Sequence, residues 1–334
     1  MNSLSRQLQE EDFLIIDNVI RGLYKDELEV ILENYNFIAI EANETQKSYT
    51  QLTSIIEYLI KNSFRKSNRL VAIGGGITQD ITAFISSIMY RGVDWIFYPT
   101  TLLAQCDSCI GGKTSININE YKNQLGNFYP PQKIFIVPSL LKTLPEKDLK
   151  SGMGEMCHFY LLSGEKDFQR FKSEYEEALV NEEVLKGLIK RCLEIKKQFI
   201  EIDEFDRKER QILNYGHSFG HAIESITNYN VPHGIAVSYG MDMANFCSVK
   251  FGYISNDLRK NIRALLINIW SNISINDLDV CDFEKALSKD KKNSSSEYRL
   301  ILTRGIGKMF KVGVKPNQEF SSWLEEYFDT QLKK

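Results

Sequence analysis

The run Leu70-Val-Ala-Ile73-Gly74-Gly75-Gly76 decides the fold class. Four apolar residues read as a strand, three glycines follow at its carboxyl end, and Thr82 to Tyr90 then reads as a helix. The alternation extends outward in both directions. On the amino-terminal side come apolar Asp12 to Asp17 (DFLIID), a helical pattern from Lys25 to Asn34, apolar Asn36 to Glu41 (NFIAIE) and a helix from Gln51 to Asn62. On the other side lies the strand Trp95 to Tyr98 (WIFY). Strands alternating with helices predict a mostly parallel sheet whose ligand sites lie at the strand carboxyl ends. Bare backbone amides at Gly74 to Gly76, just ahead of a helix, make a turn that can receive a phosphate or pyrophosphate. The run is not a G-x-G-x-x-G fingerprint, and glycine placed only for a tight turn gives the same letters.

After about residue 140 the strand signal fades, apart from Tyr298 to Leu302 (YRLIL), and long helical patterns such as Asn181 to Ile202 replace it. The sequence therefore predicts an α/β domain over residues 1–140 and a mostly α-helical domain over residues 141–334. A chain of 334 residues is long enough for two cores. Apolar content of 43% and charged content of 25% are those of an ordinary globular protein, and a net charge of -3 gives nucleic acid or an anionic membrane no reason to bind. The opening MNSLSRQLQEEDFLII lacks the basic and apolar regions of a signal peptide, and no apolar run is long enough to span a bilayer, so a cytoplasmic location is expected. The six cysteines are scattered, as reduced thiols are. Cys106-Asp-Ser-Cys109 matches C-x-x-C but has no second pair and no histidine nearby, and reads as two small, partly buried residues flanking Asp107. There are no internal repeats, and the low-complexity patch is Lys291 to Ser296.

The chain has four histidines; two fall in Asn214-Tyr-Gly-His217-Ser-Phe-Gly-His221 and a third in His233-Gly234. Histidines at i and i+4 share one helix face, where neutral imidazoles can serve one site, and a third beyond a loop can complete a metal shell. A polar surface stripe, or a hydrogen-bonded pair in the core, gives the same spacing.

Further blocks surround these residues: Tyr90-Arg91-Gly92, Pro99-Thr-Thr-Leu-Leu-Ala-Gln105, Asp107, Gly111-Gly112-Lys113, Lys122-Asn123 before Gly126-Asn-Phe-Tyr-Pro-Pro131, Gly154-Glu155, and Arg210. With the histidine run they closely resemble, in order from about Asp17 to Lys308, the 3-dehydroquinate synthase family of sugar phosphate cyclases. The resemblance implies a Rossmann-like NAD-binding domain followed by a helical metal- and substrate-binding domain. It implies a lyase of the shikimate pathway that turns 3-deoxy-D-arabino-heptulosonate 7-phosphate into 3-dehydroquinate and phosphate. In that reaction a hydroxyl is oxidised, phosphate is eliminated, the ketone is reduced again and the enol closes the ring, so NAD is recycled.

Carried over residue by residue, the resemblance makes Glu155, His217 and His233 the ligands of a divalent metal, usually zinc, with cobalt an alternative. Two imidazoles and a carboxylate leave open positions, as a catalytic site requires, and suit iron or manganese as well. His221 and Asn214 match positions near the substrate phosphate. Lys113, Lys122, Asn123 and one of Lys291 and Lys292, taken as Lys292, match phosphate-side or substrate-contacting positions, and Asp107 matches an aspartate at the metal and substrate hydroxyls. Fixed cations of this kind stabilise a leaving phosphate. Arg91 matches an arginine that reaches a neighbouring subunit's site, which implies a homodimer. On the NAD side the matches are Asp17, Glu44 and Lys47 of an E-x-x-K, Gly74, Gly75, Gly76, Asp80, Thr100, Thr101 and Thr143.

The pattern breaks at several places. Asn43 and Gln79 stand where the family has glycine, Ile235 where it commonly has glutamate, and the first strand usually preceding Asp12 is lacking, which is expected to leave a sheet edge open. Most consequential is His158, which stands where the family has a lysine contacting a substrate hydroxyl; histidine can replace a hydrogen bond but not a permanent charge. Arg210 and Lys196 match the pair that binds the substrate carboxylate, and arginine's planar fork suits that group. These two residues favour an acidic substrate. The competing expectations are a cyclase with a different sugar phosphate substrate, a related metal-dependent alcohol or glycerol dehydrogenase, and a non-catalytic NAD-binding protein.

Overall fold

The computed structural model describes residues 2–119, 121–270, 273–289 and 297–332, and divides into two compact units, Met1–Leu144 and Pro145–Lys334. Lys291 and Lys292 lie outside the described residues. The first unit runs α1 (Asn2–Ser5), β1 (Phe13–Asp17), α2 (Asn18–Leu23), α3 (Lys25–Leu32), β2 (Asn36–Ile40), α4 (Tyr49–Lys61), β3 (Leu70–Gly74), α5 (Gly76–Ile88), β4 (Trp95–Pro99), β5 (Ile116–Ile118), β6 (Tyr121–Leu125) and β7 (Lys133–Ile134). Strands β2, β1, β3, β4 and β7 form one sheet in that order, every neighbouring pair parallel. A parallel sheet buries both faces, so its strands need apolar residues at every position rather than at alternate ones. Leu14 to Ile16, Val71 to Ile73 and Ile96 to Tyr98 are accordingly at most 2% exposed. β2 forms one edge of the sheet and the two-residue β7 the other. Because β1 leads to β2 on one side and β3 leads to β4 on the other, the strand order reverses between β1 and β3. Ligands of open α/β sheets bind at such a reversal, beyond the strand carboxyl ends.

Helix α5 starts at Gly76 instead of the expected Thr82, with Gly75 as its N-cap. Thr78, Gln79 and Thr82 are buried, so polar letters on the inner face hid the helical pattern; Thr82 satisfies its hydroxyl by donating to the Thr78 carbonyl at 2.8 Å. The helix stops at Ile88 rather than Tyr90, because Tyr90, Arg91 and Gly92 take φ values of 49°, 64° and 115° in succession. The sequence reading also missed α2, whose N-terminus is capped by Asp17 accepting from the Val19 amide at 2.9 Å directly after β1. It missed the antiparallel hairpin β5–β6 because Asn117, Asn123 and Gln124 break the apolar alternation.

The second unit runs α6 (Glu146–Ser163), α7 (Glu165–Ala178), α8 (Glu182–Ile202), α9 (His217–Ile226), α10 (His233–Lys250), α11 (Asn256–Trp270), α12 (Val280–Ser288), the antiparallel pair β8 (Tyr298–Thr303) and β9 (Met309–Val314), and α13 (Gln318–Glu326). Helix α8 lies where expected, with Asn181 as its N-cap accepting from the Glu183 and Val184 amides. Helix α10 is buried at every position from Gly234 to Ser248. A helix without a polar face belongs at the centre of a bundle, and α6, α9 and α11 all pack on it. Its buried Asp242 is neutralised by Arg259, whose Nε and Nη2 lie 3.0 and 2.9 Å from the carboxylate, by Arg263, and by the Tyr327 hydroxyl at 2.9 Å. Burial of a charge without such partners would cost several kcal/mol.

Candidate active site

Three helices of the second unit each deliver one donor to the same point. Glu155 lies inside α6, His217 is the first residue of α9 and His233 the first residue of α10. The Glu155 Oε1 atom is 3.8 Å from His217 Nε2, and Oε2 is 3.7 Å from His233 Nε2. Tetrahedral zinc, with bonds of about 2.0–2.2 Å, holds its ligand atoms roughly 3.3–3.6 Å apart. One donor atom from each of the three side chains lies within 4.8 Å of the other two, so the set can close on a divalent ion. Each imidazole is also oriented from behind: His217 Nδ1 lies 3.2 Å from the Tyr215 carbonyl, and His233 Nδ1 lies 3.1 Å from Glu224 Oε2. Acceptors placed behind an imidazole hold its ring in orientation.

Glycines bring these helices close enough. A Cβ on Gly154 would lie 2.2 Å from the Gly234 carbonyl oxygen, so α6 and α10 touch backbone to backbone beside Glu155 and His233. The Gly234 amide donates to Ser151 Oγ at 2.9 Å, giving the first turn of α10 a partner on α6. On α9, Gly216 takes a left-handed φ of 79° as the N-cap, and a Cβ there would strike Met241 and the Val237 carbonyl of α10. The N-Y-G-H-S-F-G-H run thus has two faces: Gly216 and Gly220 admit α10, while His217, His221 and, two turns after His217, Glu224 share the other.

The remaining expected residues of this unit take varied places. His158 is fully buried one turn after Glu155, its Nδ1 3.5 Å from Glu155 Oε1 and its ring 5.0 Å from that of His217. His221 is exposed, its ring 5.6 Å from that of His217 and 5.9 Å from that of His233. Asn214 and Arg210 sit on the turn Glu209–Asn214, which lies against α8, the helix carrying Lys196. Arg210 and Lys196 are both buried, and Arg210 Nη1 donates to the Glu204 carbonyl at 2.5 Å.

In the first unit, Asp17, Gly74, Gly75, Thr100 and Thr101 come together at the carboxyl ends of β1, β3 and β4. A Cβ on Gly74 would lie 3.1 Å from that of Asp17, one on Gly75 would lie 2.9 Å from the Thr101 methyl, and the Thr100 amide donates to the Gly74 carbonyl at 2.9 Å. A thirteen-residue helix starts there with bare backbone amides, which suits a pyrophosphate. Burial raises the Asp17 pKa, against the opposing bonds from the Val19 and Ile20 amides. The E-x-x-K residues are engaged within the chain. Glu44 accepts from Asn117 at 2.8 Å and lies 3.3 Å from Lys122 Nζ, while Lys47 pairs with Asp80 at 2.7 Å. Burial would raise the Glu44 pKa, but the Asn117 bond together with Lys47 and Lys122 lowers it; at Asp80 burial wins and pushes the pKa up to about 6. Thr143 is exposed, its hydroxyl 3.2 Å from that of Tyr24. Lys113 is exposed, Asn123 has a φ of 54°, and Asp107 sits in a π-helical turn, Ala104–Ser108. Cys106 and Cys109 are buried, with their thiols donating to the Leu103 and Gln105 carbonyls.

A family model described as 3-dehydroquinate synthase N-terminal matches residues 37–151, and one described as 3-dehydroquinate synthase C-terminal matches residues 152–293. A 3-dehydroquinate synthase of Alkaliphilus metalliredigens (strain QYMF) is 35% identical over 318 residues, covering 94% of this chain and 89% of that protein. The chain belongs to the 3-dehydroquinate synthase family. Two solved sugar phosphate cyclases share its fold. The 2-epi-5-epi-valiolone synthase of Streptomyces hygroscopicus subsp. jinggangensis 5008, with NAD+ and Zn2+ bound, superposes with a TM-score of 0.84 at 22% identity, covering 97% of this chain and 91% of that one. A 2-deoxy-scyllo-inosose synthase complexed with carbaglucose-6-phosphate, NAD+ and Co2+ gives 0.83 at 22% identity, covering 98% and 93%.

Within the 3-dehydroquinate synthase family pattern, the departures now have local explanations. Neither Asn43 nor Gln79 has a positive φ, so neither position needs glycine for its backbone. Asn43 Oδ1 accepts from the Thr45 hydroxyl at 2.6 Å and the Gln46 amide at 3.0 Å. Gln79 is buried and exchanges two bonds with Ser108, Nε2 to the Ser108 carbonyl and Ser108 Oγ to Oε1, each 2.6 Å, which fastens α5 to the turn carrying Asp107. Ile235 is fully buried in α10, where an apolar side chain is at home. The sequence reading missed Ser151, Glu224 and Gln79 as supports of the site. The spacing of His217 and Glu224 on one helix face was the signal available for Glu224.

Proposed function

We propose that this chain is an NAD- and metal-dependent sugar phosphate cyclase that converts 3-deoxy-D-arabino-heptulosonate 7-phosphate into 3-dehydroquinate and phosphate. The observation that carries the reading is the convergence of Glu155, His217 and His233, each imidazole backed by an acceptor, in a chain of this family. A zinc or cobalt ion held there would polarise a substrate hydroxyl and carbonyl, and NAD would take up and return one hydride. The reading assigns the dinucleotide to Asp17, Gly74, Gly75, Gly76, Asp80, Thr100, Thr101 and Thr143, with Glu44 and Lys47 at its adenosine end. Arg210 and Lys196 bind the substrate carboxylate. His221 and Asn214 lie near the phosphate, Lys113, Lys122, Asn123 and Lys292 serve the phosphate side or other substrate contacts, where cations offset the charge of the leaving group, and Asp107 orients the substrate hydroxyls.

Arg91 contributes to the site of a second copy, so the working unit is a homodimer. Its exposure on a strained left-handed turn supports that role. Among the described residues no helix is long and apolar enough to cross a membrane, and a cytoplasmic location belongs to the same proposal.

The test is phosphate release from a panel of sugar phosphates, with and without a carboxylate, in the presence of NAD and Zn2+. Turnover of the heptulosonate phosphate that is lost in His217→Ala supports the reading, and no release at high enzyme concentration counts against it. The second reading, a different sugar phosphate, is favoured by His158. Replacing it separates the two: a large gain on the heptulosonate phosphate in His158→Lys supports the first, and no gain together with turnover of another sugar phosphate supports the second.

A further inference from the structure

We propose that Glu224 is a positioning residue that selects the tautomer of His233 and so decides which of two donor sets can hold a cation; this rests on the metal-site reading above. His233 belongs to two groups whose donor atoms lie within 4.8 Å of one another, Glu155–His217–His233 and His221–Glu224–His233. A neutral imidazole has one nitrogen lone pair to give, so the two sets cannot both use it at once. The geometry chooses between them. Glu224 Oε2 is 3.1 Å from His233 Nδ1, whereas His233 Nε2 faces Glu155 at 3.7 Å. A carboxylate only accepts, so Nδ1 carries the proton and the lone pair on Nε2 points into the Glu155 set.

The contact is partly buried, with the Glu224 side chain 14% and the His233 side chain 33% exposed, and a hydrogen bond to a carboxylate strengthens as water is kept away. Helix α9 thereby supplies both a ligand, His217, and the residue that orients a ligand on another helix. The two imidazoles are held differently. His217 is oriented by the Tyr215 backbone carbonyl, which no side-chain substitution removes, and His233 by a side chain that can be changed.

The experiment uses the full chain stripped of metal and titrated with Co2+ alone, read by competition with a chromophoric chelator and by the visible absorption of bound Co2+. NAD affinity and thermal unfolding serve as checks on folding. Glu224→Ala should lose about 10–100-fold in Co2+ affinity with an altered spectrum. Glu224→Gln, which keeps an accepting oxygen, should lose less, and His217→Ala more. His221→Ala should keep the Co2+ affinity of the unaltered chain. Unchanged affinity and spectrum in Glu224→Ala, alongside loss in His217→Ala, would overturn the role of Glu224 and leave the metal site standing. A loss in His221→Ala as large as that in Glu224→Ala, with none in His217→Ala, would place the cation in the other set and overturn the proposal. No loss in any variant would remove the metal-site reading itself, and the proposal with it.

Discussion

Gly154→Ala moves the donor atoms apart without deleting any of them. The added Cβ would lie 2.2 Å from the Gly234 carbonyl oxygen, and ordinary contact begins near 3.4 Å, so α6 and α10 must separate by about 1.2 Å along that line. Glu155 Oε2 and His233 Nε2, now 3.7 Å apart, would then stand at up to about 5 Å, against the roughly 3.3–3.6 Å that a tetrahedral ion requires. The loss of metal affinity should equal or exceed the roughly 10–100-fold that follows removal of a supporting hydrogen bond. Overpacking of this kind costs about 1–3 kcal/mol, which for a unit of this size lowers Tm by about 2–4 °C per kcal/mol. The assay is Co2+ titration of the stripped protein, with NAD affinity and Tm measured in parallel. NAD binding should be unchanged, because its proposed residues belong to the first unit. A folded Gly154→Ala variant that binds Co2+ as tightly as the unaltered chain would refute the argument that helix contact at Gly154 sets the donor spacing.

Gln79→Gly restores the family residue but removes two partly buried hydrogen bonds to Ser108; at about 0.5–1.5 kcal/mol each, plus about 1 kcal/mol for glycine inside a helix, it should destabilise the chain by about 2–4 kcal/mol in urea unfolding. An unchanged urea midpoint would contradict this. Asp80, with its pKa raised to about 6 chiefly by burial, binds a proton more readily folded than unfolded. Its contribution is therefore fully present below about pH 4 and lost as pH rises through about 6, so the stability of the unaltered chain relative to Asp80→Asn should fall over that window, and a pH-independent difference would count against it. If Arg91 serves a second copy, Arg91→Ala and His217→Ala should each be inactive alone, yet their co-expressed mixture should recover up to about a quarter of the sites. Absence of recovery in mixed dimers would remove Arg91 from the partner's site.

The parallel sheet was readable because its strands are buried on both faces and announce themselves as continuous apolar runs, as Leu70 to Ile73 and Trp95 to Tyr98 do. The start of α5 was not, because buried Thr78, Gln79 and Thr82 carry the letters of a surface or a loop while satisfying their polar groups locally. Helix α10 gave no amphipathic pattern either, being enclosed on all sides. The spacing of His217 and His221 marked a helix face correctly, but spacing cannot show that Gly154 and Gly234 let two backbones meet, or that Glu224 backs His233. Nor could the letter at 158 reveal that the histidine lies fully enclosed beside Glu155. These contacts join residues far apart in sequence, and packing alone brings them together.

The most direct test of the central claim follows phosphate and NADH together in one reaction containing the chain, NAD, Zn2+ and 3-deoxy-D-arabino-heptulosonate 7-phosphate. The proposed cycle predicts many phosphates released per enzyme with no net accumulation of NADH, and loss of both turnover and carbocycle formation in His217→Ala. Steady NADH production without phosphate release, or no turnover of this substrate by a protein that binds both NAD and Zn2+, would contradict it.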